Sequence, residues 1–366
     1  MAATATRKRT TTGTTLSVDD VRKAIHAVEK AVPTRSPKPI LTNVLVGNGV
    51  MIGTDLEIRV EAPLPGMDDV TLLPFGRLQS IVGNITADEM TFQIEGDRCR
   101  ISAGKGSWTL PTEDADEFPA ASDGHAKPIA HLPADQLCGL LRPILCVPAK
   151  QDDRFTMSGI QVEFRDGTLF FVATDGKRMA VTECDIDQAT DDASALIPQR
   201  AMEIVRRVAA SGEAVQFETT GSEVIVTVDS TVVRATLLAG QFPKWHLIEP
   251  DHDGPHSFAN ADDLLRACSM AAVCTSETSK GVRWTVADTG ITLRSKSQEY
   301  GESEVTCGLL EAGTPGSFVI NPHYAIEWLN KIDGAETVSI EFKNGDSAML
   351  LRADTARITI MPLADA

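Results

Sequence analysis

The sequence predicts an α+β chain made of three copies of one unit, each with two helices packed on antiparallel sheet. Three observations carry this. Pro74, Pro198 and Pro322 recur at intervals of 124 residues, each behind a short apolar run. Phe118-Pro119 and Phe242-Pro243 repeat that interval, and Met361-Pro362 follows 119 residues later. Thr54-Asp55 and Thr174-Asp175 stand 120 residues apart. A period this long marks a small domain rather than a solenoid module.

The elements follow in order. Met1 to Thr15 is Thr-rich and basic at Arg7, Lys8 and Arg9, with no apolar stretch of signal-peptide type. It is expected to be a disordered tail; a nucleic-acid-binding arm is the alternative. Each unit then opens with an amphipathic helix, expected over Val18 to Val32, Ala134 to Leu145 and Ala261 to Val273, with Val21, Leu137 and Leu264 as first anchors. The repeated prolines begin a second helix. Proline suits the first helical turn, where its missing N–H would be unpaired anyway. Apolar residues follow at +4 (Leu78, Met202, Ile326) and +7 (Ile81, Val205, Leu329), one face of a short helix. Strands lie between. Gly159 to Phe164 and Thr168 to Ala173 alternate around Asp166-Gly167, a strong hairpin signal, and Glu223 to Leu238 reads as another hairpin. The expected domains are 16–128, 129–253 and 254–366, after the tail at 1–15.

Composition excludes several classes. At 366 residues with 42% hydrophobic side chains, the chain can fill two or three cores. It holds no run of 18 apolar residues, so a membrane span is not expected. The seven cysteines (99, 138, 146, 184, 268, 274 and 307) are odd in number and form no C-x-x-C pair. Buried reduced thiols in a cytoplasmic protein are expected, with no metal and no cofactor. There is no phosphate-binding G-x-x-x-x-G-K-[ST] loop, and Gly104-Lys105-Gly106 is too short a signal. The seven histidines show no metal-ligand spacing. The acidic run Glu113 to Glu117 offers carboxylates for a cation, but the Phe118-Pro119 that follows it has a repeat counterpart, so it is read as a solvated loop. No nucleophile, base and orienting group can be assembled, so an enzyme is not expected.

In order along the chain, the segments Pro39-Ile40-Leu41-Thr42-Asn43-Val44, Gly53-Thr54-Asp55-Leu56-Glu57, Val172 to Ala180, Gly240-Gln241-Phe242-Pro243 and Met361-Pro362 resemble the β subunit of bacterial DNA polymerase III, the sliding-clamp family. The likeness runs from about Leu16 to Pro362. It implies three clamp domains per subunit and a head-to-tail homodimer. That dimer closes a ring of six similar domains around double-stranded DNA, with helices lining the hole. The implied function is to tether the replicative polymerase, with a clamp loader and other motif-bearing proteins as further partners, in the cytoplasm near the nucleoid. A clamp-like paralogue that binds those partners without being loaded on DNA is the alternative.

The net charge of −17 argues against DNA binding unless acidity is unevenly distributed. The six expected helical segments (Leu16–Arg35, Pro74–Asn84, Leu132–Lys150, Pro198–Ala210, Asn260–Met270, Pro322–Ile332) together carry +4, leaving −21 elsewhere. That suits a mildly basic hole in an acidic body; the bland reading is that Lys and Arg are good helix formers. The third unit, at −1 and 0, fits the bland reading better. Candidate DNA contacts are Arg22, Lys23, Lys30, Arg35, Arg77, Arg142, Lys150, Arg154, Lys177, Arg200, Arg206 and Arg207. By resemblance, Arg35 and the loop Gln151 to Phe155 match positions that touch DNA. Also by resemblance, a partner-peptide pocket uses Met157, Thr174, Gly176, Arg178, Met179, Pro243, Ile248, Met361, Pro362 and Leu363. Small, aliphatic and thioether groups suit burial of a peptide's apolar anchors, although Met157 and Met179 also read as plain core. The family usually ends Met-Pro-Met/Val-Arg-Leu. This chain ends Met361-Pro362-Leu363-Ala364-Asp365-Ala366, which fits a divergent, phage or plasmid copy.

Overall fold

Each repeat runs through the same ten elements. A computed structural model describes residues 13–122, 124–148, 155–186, 192–250, 254–277, 280–332 and 336–364. The first repeat is β1 (Thr14–Ser17), α1 (Val18–Val28), β2 (Asn43–Gly47), β3 (Val50–Thr54), β4 (Ile58–Pro63), β5 (Thr71–Pro74), α2 (Phe75–Asn84), β6 (Glu89–Glu95), β7 (Arg98–Ala103) and β8 (Gly106–Pro111). The second is β9 (Lys127–Pro133), α3 (Ala134–Ile144), β10 (Gly159–Arg165), β11 (Thr168–Thr174), β12 (Arg178–Asp185), β13 (Ala193–Pro198), α4 (Gln199–Ala209), β14 (Ala214–Thr219), β15 (Glu223–Val228) and β16 (Thr231–Thr236). The third is β17 (Ser257–Asn260), α5 (Ala261–Ala272), β18 (Val282–Ala287), β19 (Gly290–Ser297), β20 (Gly301–Cys307), β21 (Gly316–Ile320), α6 (Pro322–Leu329), β22 (Thr337–Glu341), β23 (Met349–Ala353) and β24 (Ala356–Ile360).

Local chemistry explains the boundaries. Ser17 caps α1 by accepting from the Asp19 N–H at 3.2 Å, and Asp19 and Asp20 sit in the first turn, where carboxylates suit the helix dipole. α1 ends at Val28, four residues before the expected Val32; Glu29 N–H closes its last turn on Ile25 O, and Ala31 N–H then turns back to Val28 O at 2.8 Å. The repeated prolines differ in role. Pro74 and Pro198 are N-caps that end a strand, one residue before the helix. Pro322 is inside α6, and Asn321 caps it by accepting from the His323 N–H. Leu78, Ile81, Met202, Val205 and Leu329 are buried, but Ala325 and Trp328 replace Ile326, which is only half-buried.

The chain groups into two compact units: Met1–Lys127 with Ser222–Thr236, and Pro128–Gly221 with Leu237–Ala366. Strand exchange between repeats gives this grouping. In the first unit β4 pairs antiparallel with β16, so the β15–β16 hairpin of the second repeat joins the sheet β5-β2-β3-β4-β16-β15. A second sheet there has the order β1-β6-β7-β8. β1 pairs Thr14 and Thr15 with Phe92 and Thr91, so ordered structure begins before the expected end of the tail; residues 1–12 lie outside the described residues. In the second unit β12 pairs with β24, from Arg178↔Ile360 to Thr182↔Ala356. One sheet therefore runs β13-β10-β11-β12-β24-β23-β22-β17, and β20-β19-β18-β21 forms another.

The expected hairpins form. β10 and β11 close at Arg165↔Thr168 over Asp166 and Gly167, with φ of 52° and 83°, the positive values a two-residue turn needs. β15 and β16 close at Val228↔Thr231 over Asp229, with φ of 50°. Helices cover one face of each sheet. A Cβ at Gly53 would lie 2.5 Å from Val32 Cγ2 and 3.3 Å from Val28 Cβ, so only glycine lets this stretch approach β3 so closely. The acidic run ends in a 3-10 turn, Ala115–Glu117, capped by Asp114. Among the described residues no helix is long and apolar enough to cross a membrane.

Candidate nucleic-acid interface and peptide pocket

Of the described candidates, Arg22, Lys23, Arg77, Arg142, Arg200, Arg206 and Arg207 lie on four helices, Lys30 and Arg35 in the segment after α1, and Lys177 in a turn. Arg22 on α1 donates to Ile85 O at 2.6 Å and Val82 O at 3.5 Å, so its guanidinium serves the carbonyl end of α2. Lys23 pairs with Asp19 at 2.8 Å, one turn away; both side chains are exposed, and the hydrogen bond to Asp19 raises the lysine pKa. Lys30 and Arg77 border one groove of about 560 Å³ between the end of α1 and the start of α2. Arg35, Arg77, Lys177 and Arg200 are exposed; Arg142, Arg206 and Arg207 are half-buried. Arg206 and Arg142 both lie near the Cys138 thiol, whose pKa burial nevertheless raises. Lys150 and Arg154 lie outside the described residues, as does most of the loop expected at Gln151 to Phe155. In the third repeat, the first-turn acids Asp262 and Asp263 on α5 offset Arg266, which pairs with Asp263 at 3.4 Å.

The candidate pocket residues include a turn that occurs twice. Thr174 Oγ1 donates to Arg178 O at 2.8 Å and accepts from the Gly176 N–H at 3.1 Å. Asp175 Oδ1 accepts from the N–H groups of Lys177 and Arg178. In the first repeat Thr54 and Asp55 make the corresponding bonds to Ile58 O and to the N–H groups of Leu56, Glu57 and Ile58. Both turns need φ of 83° at their third residue, which is Gly176 in one and Leu56 in the other. The repeated Thr-Asp pair is therefore turn chemistry.

The pocket candidates divide by exposure. Arg178 is 8% exposed. It donates to Asp175 at 3.0 Å, Glu327 at 2.6 Å and Cys146 O at 2.9 Å, and its guanidinium lies 4.6 Å from the Tyr324 ring centroid. Burial would lower its pKa, but the hydrogen bond and charge of Glu327, with Asp175, outweigh that and raise it. Arg178 thus ties its turn to α6 and to the segment after α3. Thr174 is buried, and Met179 packs in a cluster with Val172, Val181 and Trp245. Met157, Pro243 and Pro362 are half-buried, and Gly176 is exposed. Ile248 and Met361 (48% each) and Leu363 (37%) expose their apolar side chains. The tail carrying two of them is pinned by Met361 N–H to Lys177 O at 2.9 Å and Leu363 N–H to Val319 O at 2.7 Å.

Sequence reasoning missed several residues here. Leu247, 80% exposed, adjoins Ile248. Tyr324 and Glu327 of α6 hold Arg178. Arg357 on β24 binds Glu183 on β12 and Glu249 of the connector, riveting three segments. These contacts join positions 108 to 174 residues apart, for which the repeat period gives no signal.

Comparison with known proteins agrees with this architecture. Residues 14–122, 131–244 and 248–364 match, respectively, the N-terminal, central and C-terminal domains of the DNA polymerase III beta subunit. The beta sliding clamp of Vibrio cholerae is 26% identical over 354 residues, covering 93% of this chain and 96% of the relative. The beta sliding clamp of Chlamydia pneumoniae is 22% identical over 359 residues, covering 95% and 98%. A DNA polymerase sliding clamp from Bacillus subtilis has the same fold, with a TM-score of 0.89 at 20% identity over 98% of this chain and all of that one. With consecutive matches to all three domains, the chain belongs to the DNA polymerase III beta subunit family.

Proposed function

We propose that this chain is a DNA sliding clamp: a non-catalytic homodimeric ring that encircles double-stranded DNA and tethers the replicative polymerase. The carrying observation is the pair of strands left over by the repeat. β4, β12 and β20 occupy the same place in their repeats, as do β8, β16 and β24. β4 takes β16 and β12 takes β24, while β20 and β8 remain sheet edges. A second copy can pair its β8 with this β20 by the same geometry, and the reverse pair closes the ring. Exposed edges otherwise invite open-ended association, and closure removes that hazard.

Helices α1 to α4, with the cations on and beside them, then face DNA, and their phosphate contacts fix position without reading sequence. Ile248, Met361 and Leu363 receive the apolar anchors of a partner's docking motif. The three expected domains are the units of this ring, and its place is the cytoplasm, on DNA. In a light-scattering measurement the protein should have twice the 39.3 kDa chain mass. A clamp loader with ATP should place it on nicked circular DNA, and cutting the circle should release it. A monomer that no loader retains on the circle would overturn the reading; partner binding without loading would favour the paralogue.

A further inference from the structure

The connector between the second and third repeats forms an arch over the face of β10 and the edge strand β13. One foot is Leu238 N–H to Leu196 O at 2.9 Å. The other is Trp245, whose Nε1–H donates to Glu163 Oε2 at 3.0 Å, with His246 Nε2 at 3.1 Å from Glu163 Oε1. Trp245 is 3% exposed, so this foot is firmly seated. Between the feet lies a cleft of about 740 Å³. Its floor is Gln161, Glu163, Ser194 and Leu196, which share one face because Gln161 pairs with Leu196 and Glu163 with Ser194. Its walls come from the connector, including Leu237, Leu238, Phe242, Pro243 and Leu247.

We propose that this cleft takes up the segment of a partner polypeptide that flanks its docking motif, a second subsite beside the peptide pocket. The inference rests on the pocket reading above. Three observations select a polypeptide. Pro243 lines the cleft and is also a pocket candidate, and Leu247 of the cleft adjoins Ile248, so a chain leaving the pocket meets the cleft directly. β13 is a sheet edge already extended by a strand-like bond at Leu196, and Ser194, two residues earlier, presents its backbone groups on the same side. An extended chain satisfies such an edge in register while its alternate side chains enter pockets. Lys244, exposed at the mouth in a chain of net charge −17, favours an acidic group beside apolar ones. A short motif alone falls well below the roughly 1,200–2,000 Å² of a stable interface, and the added subsite makes up part of that area.

The test uses the full chain and two fluorescent peptides copied from the host replicative polymerase. One is its docking motif alone; the other adds about eight residues on each side, each flank reaching ~26 Å when extended. Anisotropy titrations should show the longer peptide binding about tenfold tighter. Ser194→Trp, which fills the cleft from an exposed position, and Lys244→Glu should each abolish that advantage. Both should leave the short peptide's Kd within about twofold, well under one tenfold step. Equal affinity of the two peptides for the unaltered protein would overturn the inference, as would equal losses for both peptides in the two variants. Ile248→Asp should weaken both peptides; if the short one is indifferent to it, the pocket reading itself fails. A change of solution mass in Ser194→Trp would make the cleft an interface between copies and also overturn the inference.

Discussion

At the scale of residues, the duplicated Thr-Asp turn offers a matched pair. Gly176 and Leu56 hold the same φ of 83°, which L side chains resist by about 1–2 kcal/mol. Gly176→Ala should therefore lower stability by about 1 kcal/mol, whereas Leu56→Gly should leave it level or raise it, because relieved strain offsets the greater freedom of unfolded glycine. Thermal unfolding of both variants checks this. Two buried thiols give a pH prediction. Desolvation pushes Cys99 and Cys184 up to about 11, from an ordinary thiol value of 9.0. The unfolded chain then loses these protons first, so their contribution is intact below pH 9 and is lost progressively as pH rises toward 11. The melting temperature should fall across that window, and Cys99→Ala with Cys184→Ala should flatten the fall.

At the scale of elements, the helix ends and strand edges carry the argument. Arg22, although exposed, donates to the last carbonyls of α2. Arg22→Gln should cost about 1 kcal/mol of stability while changing DNA retention little; the reverse pattern would make it a DNA contact. β20 is the edge expected to meet a second copy. Neighbouring residues in a strand send their N–H groups to opposite sides, so of Glu304→Pro and Val305→Pro one removes an outward donor. That variant should keep its circular dichroism, because proline is tolerated on an edge, and should be monomeric by light scattering. Dimers from both variants would place the contact elsewhere.

At the scale of the whole molecule, acidity and DNA binding are compatible if the grip is topological. The six helical segments expected from the sequence, at +4 against −21 for the remainder, give weak phosphate attraction and a repelling exterior. Retention on a closed circle should therefore barely change between about 50 and 200 mM salt, whereas affinity for short linear duplex should drop steeply over the same range. A parallel drop in both would mean that the protein is held by charge. The third repeat contributes little: its α5 begins with Asp262 and Asp263, whose positions favour the helix dipole rather than DNA.

The sequence by itself determined the repeat, the helix faces and the turns, because each depends on neighbours within a few positions. The prolines, the Asp-Gly hairpin and the Thr-Asp pair each act through backbone groups two to four residues away. The shift at α6 was hidden only because Asn321 supplied a cap that the other two copies lack. Of the candidate pocket residues, Ile248, Met361 and Leu363 expose apolar side chains, an exposure that neighbouring residues in the sequence do not encode. Only the tertiary structure decided that Arg178 is a buried brace, that Met179 is core, and that Arg22 serves a helix end. It alone made β4 and β12 partners of β16 and β24 while leaving β8 and β20 as edges. The physical reason is common to all of these. Whether a cation or an apolar side chain is spent inside the fold or left for a partner depends on groups brought together across many tens of residues. A repeat period encodes likeness between such positions, not contact.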